Sequence, residues 1–157
     1  MGDDSRETLR FLPVGLNVQG RKCLVVGGGA VGARKASNLL RAGAHVTIVS
    51  PAISPELKQI CQDGDVDWIA ECFEENHLEG AFLAVAATDD ESLNQRIVQL
   101  AGECDILVCD ASSAERTGVI FGALLQHEGA TIAVFTEGRD PSLARKTRNK
   151  IAERLED

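Results

Sequence analysis

The stretch Cys23 to Ser50, CLVVGGGAVGARKASNLLRAGAHVTIVS, constrains this chain more than any other part of it. An apolar run, Cys23 to Val26, reads as a buried strand. It leads directly into Gly27-Gly28-Gly29-Ala30-Val31-Gly32, a G-x-G-x-x-G with an extra glycine in its middle. A helical stretch follows, apolar at Val31, Ala36, Leu39 and Leu40 and stopped at Gly43. A second apolar strand, Val46 to Val49, closes a βαβ unit. In such a unit Gly27 serves the tight turn, Gly29 lets a pyrophosphate reach the backbone, and Gly32 lets helix and strand pack closely. The unpaired N–H groups and positive dipole end at the helix start suit phosphates. The bare motif is common. With a strand before it, a helix after it and a unit of about 30 residues around it, dinucleotide binding outweighs a glycine-rich turn in some other α/β protein.

One usual feature is missing. An Asp or Glu near the end of the second strand ordinarily binds the ribose hydroxyls. Here that place reads Val49-Ser50-Pro51-Ala52. Ser50 offers a hydroxyl, and backbone groups at Pro51 and Ala52 would meet the adenosine. No Arg stands there for a 2′-phosphate, which favours NAD over NADP.

The 157 residues suffice for one ordinary domain and a small appendage. A net charge of −8 argues against a nucleic-acid surface, which needs a basic footprint. No apolar run approaches the ~20 residues of a membrane span. The start, MGDDSRETLR, lacks the apolar centre of a secretion signal, and Arg6 stands where a myristoylation motif wants Ser or Thr. The expected compartment is the cytoplasm. Cys23, Cys61, Cys72, Cys104 and Cys109 form no C-x-x-C and read as reduced thiols, mostly in strand or helix cores. His45, His77 and His127 lack ligand spacing and read as surface or strand-edge residues, so no metal site is expected.

Along the chain, residues 1–10 read as a tail and Phe11 to Leu16 as an apolar lead-in packing ahead of the first strand. Ser54-Pro55-Glu56 opens a short helix that Gly64 ends, and Val66 to Ala70 is a short strand. Ala81 to Ala87 is a continuous apolar run, as a central parallel strand requires. A helix carrying Leu93, Ile97, Val98 and Leu100 follows, then a strand Ile106 to Cys109. The alternation gives an α/β fold, a Rossmann-type doubly wound parallel sheet over residues 1–112. Beyond it, 113–157 reads as a dimerisation and substrate-binding segment. Strands are expected at Val119 to Phe121 and Thr131 to Phe135, with a turn-rich or helical piece around Leu124 to Gly129 and a final helix from Pro141 to Leu155. The two strands would add to the sheet or pair with a second copy of the chain.

Ligands of open α/β sheets lie at the carboxyl ends of the strands. Besides the glycine loop, two places fall there. At Thr88-Asp89-Asp90, contact of Thr88 with the cofactor stands beside ordinary helix capping, and Asp89 and Asp90 read as caps. At Asp110, partial desolvation would favour a proton acceptor facing the nicotinamide region. Equally, it would serve as a turn residue bonding the amides of Ser112 or Ser113. The stretch Arg139 to Arg148 is locally basic, and with Arg116 its Arg139, Arg145 and Arg148 suit a polycarboxylate, since guanidinium grips carboxylate bidentately.

Taken together, V-V-G-G-G-x-V-G-x-R-K-A, A-G-A-x-V-T-I-V-S-P and A-A-T-D-D with a nearby Asn94 resemble precorrin-2 dehydrogenase, the NAD-dependent module of siroheme synthases. The likeness runs from about Val14 to Leu155, and Arg34, Lys35 and the S-L-A-R at 142–145 add to it. It implies that NAD accepts a hydride from precorrin-2, giving sirohydrochlorin, and that bifunctional members then insert ferrous iron in the same cleft. Cofactor contacts would fall on Gly29, Ala30, Val31, Pro51, Ala52 and Thr88, and the catalytic aspartate on Asp110. The family is known for homodimers built through the segment after the Rossmann core. A Ser/Thr-Gly-Gly-x-Ser-Pro turn common in the family reads Thr136-Glu137-Gly138-Arg139-Asp140-Pro141 here, so substrate contacts there are expected to differ. Many relatives continue into a further helical domain. The alternative from another class is a non-catalytic NAD-sensing domain, though those usually keep the acidic ribose partner missing here.

Overall fold

A computed structural model of the chain describes residues 8–64 and 66–156. The readings made for the first seven residues lie outside that range. Five strands, β1 (Lys22–Val26), β2 (His45–Val49), β3 (Val66–Ile69), β4 (Leu83–Ala86) and β5 (Leu107–Asp110), form one parallel sheet in the order β3-β2-β1-β4-β5. Parallel neighbours need crossovers, and α1 (Ala30–Arg41), α2 (Pro55–Asp63) and α3 (Glu91–Glu103) supply three of them. The chain leaves β1 toward β2 and β3, then returns to the other side of β1 for β4. The order therefore reverses at the β1–β4 pair, where a ligand crevice forms.

β1 alternates between two cores. Cys23 and Val25 join Ala33, Ala36, Leu39 and Leu57 on the α1–α2 face, while Leu24 and Val26 join Ile97 and Ala101 of α3 on the other. Burial on both faces is why the run is apolar at every position rather than every second one. The same alternation sends Cys109 to the first face and Val108 to the second, so Asp110 turns to the α3 side.

Local signals act as expected at the helix ends. Ser54 caps α2 by accepting from the Leu57 N–H at 3.2 Å with Pro55 in the first turn, and Gly64 follows the last turn. Asp90 caps α3 through the Leu93 N–H at 3.1 Å. Val31, in contrast, is exposed at the start of α1 and no part of the core.

After β5 the structure corrects the reading. Val119 to Phe121 is not a strand: the N–H groups of Gly118 and Val119 both bond the single carbonyl of Val108, and the Val119 and Phe121 side chains pack on the α1–α2 core. The strands are β6 (Ala123–His127) and β7 (Ala130–Val134), an antiparallel pair separate from the parallel sheet. Their turn is Glu128-Gly129, with φ of 47° and 82°. Both central residues are left-handed, the geometry that matches hairpin twist, and only the second is a glycine. The stretch read as turn-rich or helical is thus strand and hairpin. The last helix, α4 (Pro141–Leu155), packs on both strands and is capped by Asp140 through the Leu143 N–H at 2.8 Å.

Contacts divide the described residues into two compact units, Asn17–Phe121 and a second joining 8–16 with 122–156. In the lead-in, Leu12 and Val14 are 78% and 67% exposed, and Leu9 before it is 62% exposed. Val18 is the first apolar side chain buried there.

Burial makes the two sides of the β5 region unequal. Ile97→Ala, which empties a fully buried site, should cost about 2–5 kcal/mol in chemical denaturation, whereas Leu107→Ala at a 39% exposed position should cost under about 1 kcal/mol. Equal losses would mean that α3 is not anchored as described.

Candidate active site

At the carboxyl ends of β1, β2 and β4 lies a cleft of about 440 Å³. Gly27, Gly28, Ser50, Pro51, Cys72, Phe73, Thr88 and Leu93 are among its walls. Each glycine next to it has a distinct role. A Cβ on Gly27, whose φ is +124°, would strike the Ala87 carbonyl, and one on Gly32 would come to 2.5 Å from the Gly27 carbonyl. Those contacts are backbone and cannot be relieved by a rotamer change. A Cβ on Gly29 would meet nothing within 4 Å. That side of the loop is open, as a pyrophosphate approaching the backbone requires. Gly29 also caps α1 with no side-chain bond, leaving the first-turn N–H groups at Ala30, Val31 and Gly32 to an external acceptor. These residues fit a dinucleotide.

The loop after β2 is shaped by its own hydrogen bonds. The Ser50 hydroxyl donates to the Ala52 carbonyl at 2.7 Å, and the indole N–H of Trp68 donates to the Ser50 carbonyl at 3.0 Å. Pro51 lines the cleft, and both it and Ala52 are exposed. Ser50, Pro51 and the glycine loop are therefore brought together as expected, with the Ser50 oxygen still able to accept.

Thr88 is not the cap of α3, a place taken by Asp90. It faces the cleft, and its hydroxyl also lies 2.7 Å from Asn94 Oδ1 and accepts from the Asp90 N–H at 3.2 Å. Asn94, only 1% exposed, holds the Thr88 loop on both sides: Oδ1 accepts the Thr88 N–H at 3.1 Å and Nδ2 donates to the Thr88 carbonyl at 2.9 Å.

Asp110 stands one strand further, opposite Ala86, with its side chain fully shielded from solvent. Oδ1 accepts the Ser112 N–H at 2.9 Å and the Ser112 hydroxyl at 2.6 Å. Oδ2 accepts from Arg116 Nε at 2.9 Å. The turn-residue role is present. Arg116 extends the set, donating through Nη1 to Glu91 at 3.1 Å and through Nη2 to Ser112 Oγ at 3.3 Å. Hydrogen bonds to Glu91 and then to Asp110 push the guanidinium above its ordinary range. Arg116 thus touches the carboxylates of this protein. Arg139, Arg145 and Arg148 belong to the other compact unit, on and just before α4, where Arg145 is exposed and Arg148 bonds the Asn149 side chain at 2.7 Å.

The other titratable groups are quieter. Burial pushes the Cys109 thiol up, opposed by the Lys35 ammonium, and pushes Cys23 up to about 11. Neither is a ready nucleophile. Lys35 is itself lowered by burial and lies 4.4 Å over the Phe121 ring. The thiols are not mostly core, because Cys72 and Cys104 are exposed. His77 is not a surface residue. Its side chain is 8% exposed and accepts the Glu74 N–H at 2.9 Å, capping a short 3₁₀ turn. Among the described residues no group of His, Cys, Asp and Glu could hold a metal ion, and no helix is long and apolar enough to cross a membrane.

Sequence reading offered the Ser112 amide as a partner of Asp110 but missed the Ser112 hydroxyl and Glu91, and met Asn94 only through the family pattern. Asn94 had a signal of its own. It shares with Ile97 and Ala101 the i, i+3, i+7 stripe of α3 that faces the core, and a polar residue on such a stripe must bond something buried.

The chain is 38% identical over 141 residues to siroheme synthase 1 of Serratia proteamaculans, covering 90% of this chain and 30% of that protein. It is likewise 38% identical over 143 residues to a siroheme synthase of Neisseria meningitidis serogroup C, covering 91% and 30%. It therefore spans about a third of the length of these relatives. Among solved structures, SirC, a precorrin-2 dehydrogenase, superposes with a TM-score of 0.79 at 28% identity, over 92% of this chain and 71% of that one. The family model NAD_binding_7, described as NAD(P)-binding, matches residues 14–123, and with that span covering more than half of its length the chain belongs to this NAD(P)-binding family.

Proposed function

We propose that this protein is an NAD-dependent precorrin-2 dehydrogenase that forms sirohydrochlorin. The observation that carries the reading is Asp110, a shielded carboxylate hydrogen-bonded at the carboxyl end of β5 next to a cleft built for a dinucleotide. Similarity to SirC supports the substrate. NAD is the preferred cofactor, supported by the absence of any basic side chain in Ser50-Pro51-Ala52 to receive a 2′-phosphate.

When bound, the nicotinamide supplies the hydride acceptor. Gly29, Ala30, Val31 and Gly32 hold the pyrophosphate by backbone N–H groups, Ser50, Pro51 and Ala52 border the adenosine, and Thr88 faces the cofactor from β4. Oxidation of the macrocycle removes a hydride and a proton, and Asp110 accepts the proton. Arg116 is the partly exposed cover of that carboxylate, at 26% against 0%. A substrate carboxylate competes with Asp110 and Glu91 for its guanidinium and so uncovers Oδ2. Arg139, Arg145 and Arg148 suit the remaining carboxylates of a tetrapyrrole. The same aspartate would take protons from pyrrole nitrogens if ferrous iron, a substrate here, is inserted. A homodimer is supported by the exposed Leu9, Leu12, Val14 and Leu143 of the second compact unit, and a cytoplasmic setting by the five free thiols.

Asp110→Ala should keep NAD binding and lose at least about a hundredfold in turnover of precorrin-2, followed by NADH absorbance under anaerobic conditions. Normal turnover would remove Asp110 from the chemistry, and NAD binding without NADH in the wild type would favour a sensor. Gly29→Ala meets no protein atom, so stability should stay within about 1 kcal/mol while NAD affinity falls at least about tenfold. The cleft position of Cys72 gives a test without turnover. NAD should slow alkylation of Cys72 and leave Cys104 unchanged, as peptide mass mapping would record.

A further inference from the structure

The hydrogen bonds around Asp110 have fixed directions. Thr88 N–H can only donate and Thr88 C=O can only accept, so the Asn94 amide has one orientation, with Oδ1 to the former and Nδ2 to the latter. Nδ2 also reaches Ser112 Oγ at 3.2 Å, and Arg116 Nη2 reaches it at 3.3 Å. Both of those partners are donors only. The single hydroxyl proton of Ser112 must therefore point to Asp110 Oδ1, 2.6 Å away.

From this we propose that Asn94 and Ser112 are positioning residues that tie the cofactor-facing Thr88 loop to Asp110 and make Oδ2 the proton-accepting oxygen. Oδ1 is held by two donors of one residue, the N–H and O–H of Ser112, and Ser112 is held by a fully buried amide. Oδ2 accepts from Arg116, and Arg116 is a partner that a carboxylate substrate can draw away. When it leaves, one oxygen stays fixed and the other opens. The Asn94 amide joins that fixed side to the same backbone segment that lines the cofactor cleft, so hydride acceptor and proton acceptor share one frame. The inference rests on the catalytic reading of Asp110.

The test measures kcat with precorrin-2 and, separately, NAD affinity by fluorescence of Trp68, the only tryptophan, which bonds the cofactor-loop carbonyl of Ser50. Ser112→Ala should lower kcat about tenfold to a hundredfold with NAD affinity within about twofold, the loss expected for a hydrogen bond to a charged group. Ser112→Thr, which keeps the hydroxyl, should recover most of it. Asn94→Ala should lower kcat in the wild type and add no further kcat loss in Ser112→Ala, while its effect on NAD affinity persists in both. If Asn94→Ala does not fold, the two Ser112 variants decide. Full kcat in Ser112→Ala, beside an inactive Asp110→Ala, would overturn this inference and leave the proposed function standing. Turnover in Asp110→Ala would overturn both.

Discussion

The sheet and the site depend on one tight set of backbone crossings at the end of β1. Gly27 lies against the Ala87 carbonyl, Gly32 against the Gly27 carbonyl and Gly28 against the Ala52 carbonyl. The loop is also bonded to both neighbours, with Gly27 N–H to Val49 O at 3.1 Å and Ala87 N–H to Val26 O at 2.8 Å. No side chain shields one chain segment from another here, so the crossings fix where the ends of β2 and β4 stand relative to α1. A cleft opens beside the switch point because the glycine loop is held from both sides while its Gly29 edge is left clear.

Much of this was legible in sequence because its signals are local. Strand length, burial on both faces, the Ser54 and Asp90 caps and the glycine spacing each reflect a constraint acting within a few residues. The failures lie where partners are distant. Val119 to Phe121 has strand composition, but its N–H groups converge on one carbonyl and its side chains fill a core already built by α1 and α2. The hairpin at Glu128-Gly129 gave a weak signal because Glu rarely takes the left-handed conformation it adopts there. Arg116 read as a free cation for a ligand. Only its folding-back six residues onto Asp110 reveals an internal partner.

That pairing also limits what the site can be. A buried ion pair is weak evidence for stability, since desolving both groups offsets their attraction. Here Arg116 is partly exposed and its other partner, Glu91, lies at the surface, so the guanidinium is anchored at its Nε end and wet at the other. A pair placed that way is suited to exchange of partners more than to holding a core together. Ser112 and Asn94, with every buried side-chain N and O atom satisfied among the described residues, supply the rigid half of the arrangement.

Two oddities of the fingerprint, the extra glycine and the missing ribose carboxylate, are one structural fact. The loop after β2 crosses directly over Gly28, whose carbonyl accepts the Ser54 N–H at 2.8 Å, and the Ala52 carbonyl occupies the place of a Cβ at position 28. Ala52 is set there by the Ser50 hydroxyl, which donates to its carbonyl. A carboxylate at position 50 would have no proton to give and would set its charge against the negative end of that carbonyl dipole. The close crossing thus needs glycine below and a hydroxyl donor above. Ser50 keeps a free lone pair, so the end of β2 offers a neutral acceptor oxygen and loop backbone where an acidic side chain is the usual ribose partner.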